Sequence, residues 1–447
     1  MKVSIYFEEE YLGVYPSIIN AITLFSPKCS RIDIMSAKRK STFPEPPMFP
    51  QNVFFHKVRQ DFIYDRNQFK AIPPSSSSGP NKKMNSLSWK AFLPELLKVE
   101  YRKTRDILVH NIEFIAAQYA WFKDKVKYYI FCLNKSSHTK PEILIAVDNS
   151  GMIAACIVSL FSKVKPTLIF WSLEIDTGIS PLFLKRLHDW FFSKCIRFSN
   201  VLVIQEKPRL ELLREKLKTN FRFLDIFFIP HSPIGDSTIS NQKVVVDNNY
   251  FRKKFCLDRS EKIILHAGWI HDAMCVDKIA ESAKSWDSSY KLVLHERERR
   301  SPHEPFIRHV SSLSDKRALL SLNPVSFDRI DEVFSSADIG IIAYDKKYGG
   351  GRENAHKASG KLGQYLKCGV PVIALDLPGY SEMFDRYQCG MVFQDFASIE
   401  KCIDAILENY THFHQEALRC FREEFDFRKF FQPLLSHACS TSTINSV

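Results

Sequence analysis

Short apolar runs alternate along the chain with longer segments in which apolar residues recur at helical spacing. The runs are three to nine residues long and contain many β-branched and aromatic residues, which is typical of strands buried on both faces. They predict strands at 2–7, 31–37, 53–58, 141–148, 167–175 and 201–205 in the first half, and at 262–270, 290–296, 317–322, 338–344, 371–375 and 391–393 in the second.

The segments between these runs have the period of amphipathic helices. They predict helices at 15–25, 87–130, 151–161, 185–199 and 206–218, and then at 276–286, 327–337, 361–369 and 398–409, with helices again near the end of the chain. Strands that alternate with helices indicate parallel sheets with right-handed crossovers. Because the series restarts near 233–245, the pattern predicts an α/β protein of two Rossmann-like, doubly wound domains that face a cleft.

The domain boundaries follow from this restart. We expect a first domain at 1–235, a second at 236–410, and a helical tail at 411–447 that packs back on the first domain. A chain of 447 residues, 45% of them hydrophobic, is long enough for two cores and excludes a wholly disordered protein. Ligands of such domains bind at the carboxyl ends of the strands, so the cleft is the expected site.

Composition also bears on the compartment. The eleven cysteines form no CxxC pair and no cluster with zinc-ligand spacing, which favours free thiols in a reducing environment. The N-terminus lacks the basic and apolar regions of a signal peptide, and the apolar run at 151–161 is too short to span a bilayer. We therefore expect a cytoplasmic protein, either free or peripheral on the cytosolic face of a membrane.

The excess positive charge lies entirely in the first half of the chain. Residues 1–240 contain 34 Lys and Arg and 22 Asp and Glu, so their net charge is 34 − 22 = +12, which is the net charge of the whole chain. Such asymmetry indicates an anionic partner for this half, although a solubilising surface explains it equally well. Residues 98–127 are the best candidate for a membrane-facing region. The segment 185–197 also mixes basic and aromatic residues, but an ordinary helix with its apolar face inward is the preferred interpretation.

One loop concentrates groups that favour a pyrophosphate. The stretch YGGGRENAHKASGK at 348–361 places three glycines, Arg352, Ser359 and Lys361 between a strand and a helix. Backbone N–H groups, a helix N-terminus and cations together bind such an anion, whereas the alternative is a surface loop with ordinary charges. Gly268, directly after another strand, either allows close approach of a phosphate or is a plain turn glycine.

Two carboxylates end predicted strands of the first domain. Asp148 and Glu174 would face the cleft, where either could orient or deprotonate an acceptor hydroxyl. The alternatives are a helix N-cap for Asp148 and a structural ion pair for Glu174. No Asp-x-Asp pair, which could hold a metal ion, occurs in the sequence.

The stretch SGKLGQYLKCGVPVIALDLPGYSE at 359–382, together with SADIGIIAY at 336–344, resembles the nucleotide-sugar site of GT-B glycosyltransferases. It is most similar to the retaining sugar transferases of polysaccharide and lipopolysaccharide synthesis. In the first half, FWSLEI, VLVIQEKPRLELL and FFIPHSP are similar to segments of that group in the same order, so the resemblance covers most of the chain.

The resemblance implies metal-independent transfer of a hexose-type sugar from a UDP- or GDP-sugar to a lipid-linked or polysaccharide acceptor. It places Ser359 and Lys361 at the diphosphate and Gln364 at the ribose, where the family usually has a glutamate. The residues implied to bind the nucleotide-sugar are Gly268, Arg352, Ser359, Lys361, Gln364, Pro378, Gly379 and Glu382, and those implied to act on the acceptor are Asp148 and Glu174.

A second hypothesis is a catalytically inactive GT-B module that binds a glycan or a partner glycosyltransferase. It rests on Gln364 and on Trp269 and His271, which stand near the place where the family has a diphosphate-binding arginine. No RNA-binding motif or zinc finger occurs, so no nucleic-acid partner is expected.

Overall fold

A computed structural model describes residues 1–9, 12, 15–38, 47–60, 115–175, 183–217, 223, 225–235, 250–314, 317–348 and 354–444. Within them lie thirteen strands: β1 Lys2–Tyr6, β2 Arg31–Lys38, β3 Val53–Arg59, β4 Ile143–Val147, β5 Thr167–Trp171, β6 Val201–Ile204, β7 Asp225–Phe228, β8 Lys262–Gly268, β9 Tyr290–Glu296, β10 Ala318–Ser321, β11 Ile339–Ile342, β12 Val372–Leu375 and β13 Gly390–Phe393.

The described α-helices are α1 Pro16–Phe25, α2 at 115–139, α3 Asp148–Phe161, α4 Phe183–Cys195, α5 Lys207–Leu217, α6 Tyr250–Phe255, α7 Val276–Ser282, α8 Pro305–Leu313, α9 Ile330–Phe334, α10 Gly360–Lys367, α11 Tyr380–Tyr387, α12 Ile399–Glu408, α13 Tyr410–Cys420 and α14 Phe427–Ile444. Short 3₁₀ turns link several elements, and a π-turn at Phe421–Phe425 joins α13 to α14.

The strands form two separate parallel sheets, as the alternating pattern predicts. The first has seven strands in the order β3-β2-β1-β4-β5-β6-β7, and the second has six in the order β10-β9-β8-β11-β12-β13. Each order reverses beside its first strand, β1 or β8, which is the switch point of a doubly wound sheet. The predicted α/β class with two Rossmann-like domains is therefore confirmed.

Helices cover both faces of the first sheet. One face packs against α1 and α14, and the other against α2, α3, α4 and α5. The central strand β4 is apolar throughout because neither face meets water, and all five of its residues are buried. Gly151 lets α3 lie close to the sheet, since a Cβ at this position would collide with the backbone carbonyl oxygen of Tyr6.

Some predicted bounds were wrong at strand ends. The predicted strand 167–175 ends at Trp171, because the amides of Leu173 and Glu174 donate to a side chain rather than to a neighbouring strand. The helix predicted from Gly151 begins already at Asp148. Of the helix predicted at 87–130, residues 115–130 are helical and 87–114 lie outside the described residues.

The C-terminal helices touch both sheets. Helix α13 packs against α10 and α11 of the second half, and α14 crosses to pack against α1, β5 and β7 of the first. Phe427 and Phe431 of α14 stack on Trp171 inside the first core. The crossing thus ties the two halves together through buried aromatic rings. No helix in the described part of the chain is long and apolar enough to cross a membrane.

The segment after β7 lies directly against the start of α10. The His231 amide donates to the Lys357 carbonyl at 2.8 Å, and the His231 imidazole contacts Ser17 of α1 through Nδ1. A Cβ at Gly360 would lie 2.9 Å from the His231 ring, so only glycine allows this approach without movement. The carboxyl ends of both sheets are consequently brought to one interface.

Candidate functional site

Helix α10 begins at the interface without a side-chain cap at its N-terminus. Ser359 holds the N-cap position, but its side chain makes no capping hydrogen bond, because its hydroxyl is paired with the Tyr344 hydroxyl at 2.8 Å. The first backbone N–H groups of α10 are therefore not capped by this side chain. The macrodipole adds a partial positive charge at the same place, which favours an anion.

Lys361, in the first turn of α10, points its amine into the interior. Its Nζ is buried and has no hydrogen-bond partner among the described residues, although it lies 5.2 Å from the centre of the Tyr344 ring. Burial, followed by the charge of Arg297, lowers the pKa of Lys361 to about 7. An unpaired buried amine is costly, and a bound anion beside it would offset that cost.

Gly268 lies opposite this amine at the end of β8. Its φ of 124° is accessible to glycine and strained for other residues, and a Cβ here would lie 3.6 Å from the Lys361 Nζ. The backbone of the β8 turn thus forms one wall of the space beside the amine. The positive φ by itself favours glycine here, so the close approach of a phosphate to Gly268 stays a prediction.

The next loop contributes Glu296 and Arg297, which the sequence analysis missed. Glu296 is fully buried and accepts the amides of Ile270 and Arg297 at 2.9 and 2.8 Å, which fixes the two loops to each other. Burial raises the pKa of Glu296 to about 7. The Arg297 guanidinium lies 5.7 Å from the Trp269 ring and is near enough to Lys361 to depress the pKa of its amine.

Gln364 is buried on α10, one turn beyond Lys361. Its side-chain amide donates to Asp331 of α9, whose other carboxylate oxygen accepts from Lys367 at 2.7 Å. The amide nitrogen is therefore already used inside the protein. Its carbonyl oxygen is the atom that could accept from a ribose hydroxyl.

The loop after β12 shapes the opposite side of the α10 start. Gly379 has φ 87°, and a Cβ at this position would collide with the His356 ring, so the glycine makes room for that imidazole. Pro378 and Glu382 are exposed, and Glu382 lies in the first turn of α11. Arg352 lies outside the described residues, so its predicted role at the diphosphate stays a prediction.

A second unexpected pair joins the two halves of the molecule. Glu206, just after β6, lies 3.1 Å from His356 between carboxylate Oε2 and imidazole Nε2. Burial raises the pKa of Glu206 to about 7 and lowers the pKa of His356 to about 4. The outer atoms of the pair, Glu206 Oε1 and His356 Nδ1, are buried and have no hydrogen-bond partner in the described residues. The pair can therefore accept further hydrogen bonds from a bound molecule.

Asp148 does not cap helix α3. Its Oδ1 accepts the backbone amides of Leu173 and Glu174 at 2.7 and 3.0 Å, so it holds the loop that follows β5. Burial raises the pKa of Asp148 to about 7, with Glu174 contributing. Glu174 itself is exposed, and no described basic side chain lies within ion-pair distance of it. The loop thus presents Glu174 to the cleft side of the sheet.

We expect Asp148→Ala to disorder this loop and Asp148→Asn to keep it. An asparagine oxygen can still accept both amides, whereas alanine leaves two donors unpaired at a cost of about 1–3 kcal/mol each where they are buried. Chemical denaturation and limited proteolysis at residues 172–175 would measure the difference. Equal stability of the two variants would contradict this positional role for Asp148.

The structure brings Gly268, Ser359, Lys361 and Gln364 together around the start of α10, while Asp148 and Glu174 follow strands of the other sheet. Sequence reasoning missed Glu206, Glu296, Arg297 and His356. The strand-end rule that selected Asp148 would also have selected Glu206 and Glu296, since each lies at or within two residues of the end of a strand. The described residues contain no group of three or more His, Cys, Asp or Glu placed to hold a metal ion.

No family model and no curated protein sequence matches the chain. Solved structures do. Sucrose-phosphate synthase from Thermosynechococcus elongatus superposes with a TM-score of 0.66 at 10% identity, covering 99% of this chain and 100% of that one. HepE from Anabaena, in complex with UDP-glucose, gives 0.62 at 10% identity over 99% and 100% of the two chains. WaaG, a glycosyltransferase involved in lipopolysaccharide biosynthesis, gives 0.56 at 11% identity over 99% of each. The chain therefore has the GT-B fold of these glycosyltransferases.

Proposed function

We propose that the protein is a glycosyltransferase that transfers a hexose-type sugar from a UDP- or GDP-sugar. The buried amine of Lys361, which has no hydrogen-bond partner in the described residues and lies in the first turn of α10, carries this proposal. An ammonium group beside the N-terminus of a helix matches a diphosphate in charge. The complex of HepE with UDP-glucose, on the same fold, supports a nucleotide-sugar as the anion.

The proposed chemistry needs charge stabilisation at the leaving group. When the sugar–phosphate bond breaks, negative charge builds up on the nucleoside diphosphate, and preorganised cations lower that barrier. Lys361, the α10 N-terminus and the field of Arg297 supply this stabilisation from the protein. We therefore propose that the reaction needs no metal ion.

The acceptor side is proposed to lie against the first sheet. Glu174 is exposed beside the cleft on a loop fixed by Asp148, and a carboxylate there can orient or deprotonate a hydroxyl. Retention of configuration and a lipid-linked or polysaccharide acceptor follow only from the sequence resemblance at 336–382. We propose them on that ground, with the reaction taking place on the cytosolic side of a membrane.

A thermal-shift panel of UDP-, GDP-, ADP- and CMP-sugars tests the proposed donor. A ligand at about 100 times its Kd stabilises the folded state by about 2.7 kcal/mol, which is a shift of a few degrees in Tm. We expect one nucleotide to give this shift and to be hydrolysed or transferred. If no nucleotide-sugar raises the Tm, the proposed function is wrong.

The inactive GT-B module remains the second candidate. Gln364 stands where the resemblance implies a glutamate, and its side-chain amide already donates to Asp331. The same panel separates the two functions. The inactive module predicts no turnover even where a nucleotide-sugar binds, and a stable complex with a partner transferase or a glycan. Release of the free nucleoside diphosphate at a steady rate excludes it.

A further inference from the structure

The large apolar side chains that the described residues leave exposed are confined to the first half of the chain. All of them lie before residue 200, and most lie on α2, at the end of α3 and on α4. The second half buries its large apolar residues in the described regions, although the two sheets are of similar size. Single exposed apolar residues need no explanation, but a set on neighbouring helices marks an interaction surface.

Helix α4 shows the arrangement most clearly. His188 and Phe192 face the core, whereas Phe183, Trp190 and Phe191 point outward, with Trp190 half exposed at 52%. The sequence analysis preferred an inward apolar face for this helix. One side of the helix does face the core, but its other side exposes large aromatic residues to solvent.

Helix α2 and the end of α3 extend the same surface. Ile115, Tyr119 and Ile130 lie on the outer side of α2, and Phe161 at the end of α3 is 73% exposed. These helices form one layer, because the His188 ring of α4 contacts Trp121 and Tyr129 of α2. We call the outer side of α2, the end of α3 and α4 the aromatic–basic surface.

The charges on this surface are mostly positive. The segment 183–198 contains Lys185, Arg186, Lys194 and Arg197 against the single acid Asp189, which already accepts from Asn149. The end of α3 is followed by Lys163 and Lys165 without an acid. Helix α5, in the same layer, differs in that it exposes Glu211 and Arg214 as an ion pair and no large apolar residue.

We propose that the aromatic–basic surface binds the headgroup region of an anionic lipid bilayer. Exposed aromatic and aliphatic side chains partition into the interfacial zone, and surrounding Lys and Arg are attracted to anionic lipids. A protein or a second copy would need carboxylates to match these cations, whereas an anionic bilayer matches both the charge and the apolar side chains. The proposal stands independently of the proposed reaction, because it rests on none of the residues of the nucleotide-sugar site.

Co-sedimentation of the full chain with vesicles tests this proposal. Vesicles of phosphatidylcholine with about a third of phosphatidylglycerol, an anionic lipid, are compared with vesicles of phosphatidylcholine alone. Both are tested at low and at high salt. We expect binding to the anionic vesicles only, weakened by salt. Trp190→Ser with Phe191→Ser should lower the partition coefficient about tenfold or more.

Charge-reversal variants give the matched control. Lys194→Glu with Arg197→Glu should abolish vesicle binding, whereas Lys207→Glu with Arg214→Glu on α5 makes the same change in net charge and should keep most of it. Circular dichroism and nucleotide-sugar thermal shifts of each variant report folding and the other site separately. Equal loss in both charge variants, or aromatic variants that bind normally, would overturn the proposal. So would an oligomer of the wild type that the aromatic substitutions dissociate without any vesicle binding.

Discussion

Replacing Lys361 with methionine should stabilise the ligand-free protein by about 2 kcal/mol and abolish nucleotide-sugar binding. The amine is buried without a partner, and exchanging an unpaired buried charge for an apolar side chain of similar length removes its desolvation cost. Opposite effects on stability and binding are the signature of a residue kept for its ligand. Denaturant unfolding and calorimetric titration with the best nucleotide-sugar of the panel measure the two effects.

The pH dependence of this stabilisation has a defined sign. The pKa of Lys361 is about 7 in the folded protein and near its ordinary 10.5 in the unfolded chain, so the unfolded state binds the extra proton between these values. The stability of the wild type therefore rises with pH across this window. The advantage of Lys361→Met should be full below pH 7 and vanish above about pH 10.5.

Ligand binding should show the converse dependence. A diphosphate prefers the ammonium form, so affinity should fall about tenfold per pH unit above pH 7 until the bound-state pKa is reached. Lys401→Met, at an exposed position of α12, is the matched control and should change neither stability nor binding by more than about 0.5 kcal/mol. Normal nucleotide-sugar affinity in Lys361→Met would remove the main support of the proposed function.

Glu206→Gln should lower the rate of sugar transfer about 100-fold and leave the affinity for the nucleoside diphosphate within about threefold. The Glu206–His356 pair spans the two halves, and its outer atoms are buried and unpaired in the described residues. Those atoms suit hydroxyl groups of a sugar held in the cleft, whereas the cations assigned to the diphosphate are not part of the pair. The substitution is nearly isosteric, so the fold should be kept.

A comparison of kcat with affinity checks this prediction. Glu211→Gln on the outside of α5 makes the same Glu-to-Gln change at an exposed position. It should change neither kcat nor the affinity for the nucleoside diphosphate. His356→Ala and the double variant complete a cycle, and a double variant no worse than the single ones would show that the two residues act as a unit. If Glu206→Gln lowers only the Tm, or weakens the bare diphosphate as strongly as the nucleotide-sugar, the pair is structural.

The pH dependence of sugar transfer provides a further test of the Glu206–His356 pair. Arg209 and Lys357 favour the ionised form of Glu206, and burial opposes it more strongly, so its pKa is raised to about 7. Burial, followed by the charge of Lys357, lowers the pKa of His356 to about 4, and the charge of Glu424 acts in the opposite direction. If transfer needs the Glu206 carboxylate, activity should rise as the pH increases through 7, and this rise should disappear in Glu206→Gln.

The alternation of apolar runs and helical segments was enough to predict the fold class and twelve of the thirteen described strands, but not β7. A parallel strand covered by helices on both faces needs a continuous apolar run, which few other structures share. The apolar runs of β4 and β12 were therefore enough to predict these strands. Strand ends were harder, because a strand stops where its amides find other partners. At β5 that partner is the Asp148 carboxylate, which is distant in sequence.

The residues of the candidate site divide in the same way. Gly268, Ser359 and Lys361 were predicted from local rules for strand ends and helix starts, and Gln364 from the resemblance of the stretch 359–382 to a known pattern. The partners that define their chemistry come from other elements. The Ser359 hydroxyl is hydrogen-bonded to the Tyr344 hydroxyl, and the Gln364 side-chain amide donates to Asp331. Neither contact follows from spacing along the chain.

The sequence by itself determined two parallel α/β domains, a basic first half and a helix start suited to a diphosphate, because each of these depends on neighbours along the chain. Only the tertiary structure decided that the Lys361 amine is buried without a partner, that Glu206 meets His356 across the two halves, and that Trp190 and Phe191 face outward. Burial and pairing depend on elements that are remote in sequence. Burial is also the main reason that the pKa of the Lys361 amine is lowered.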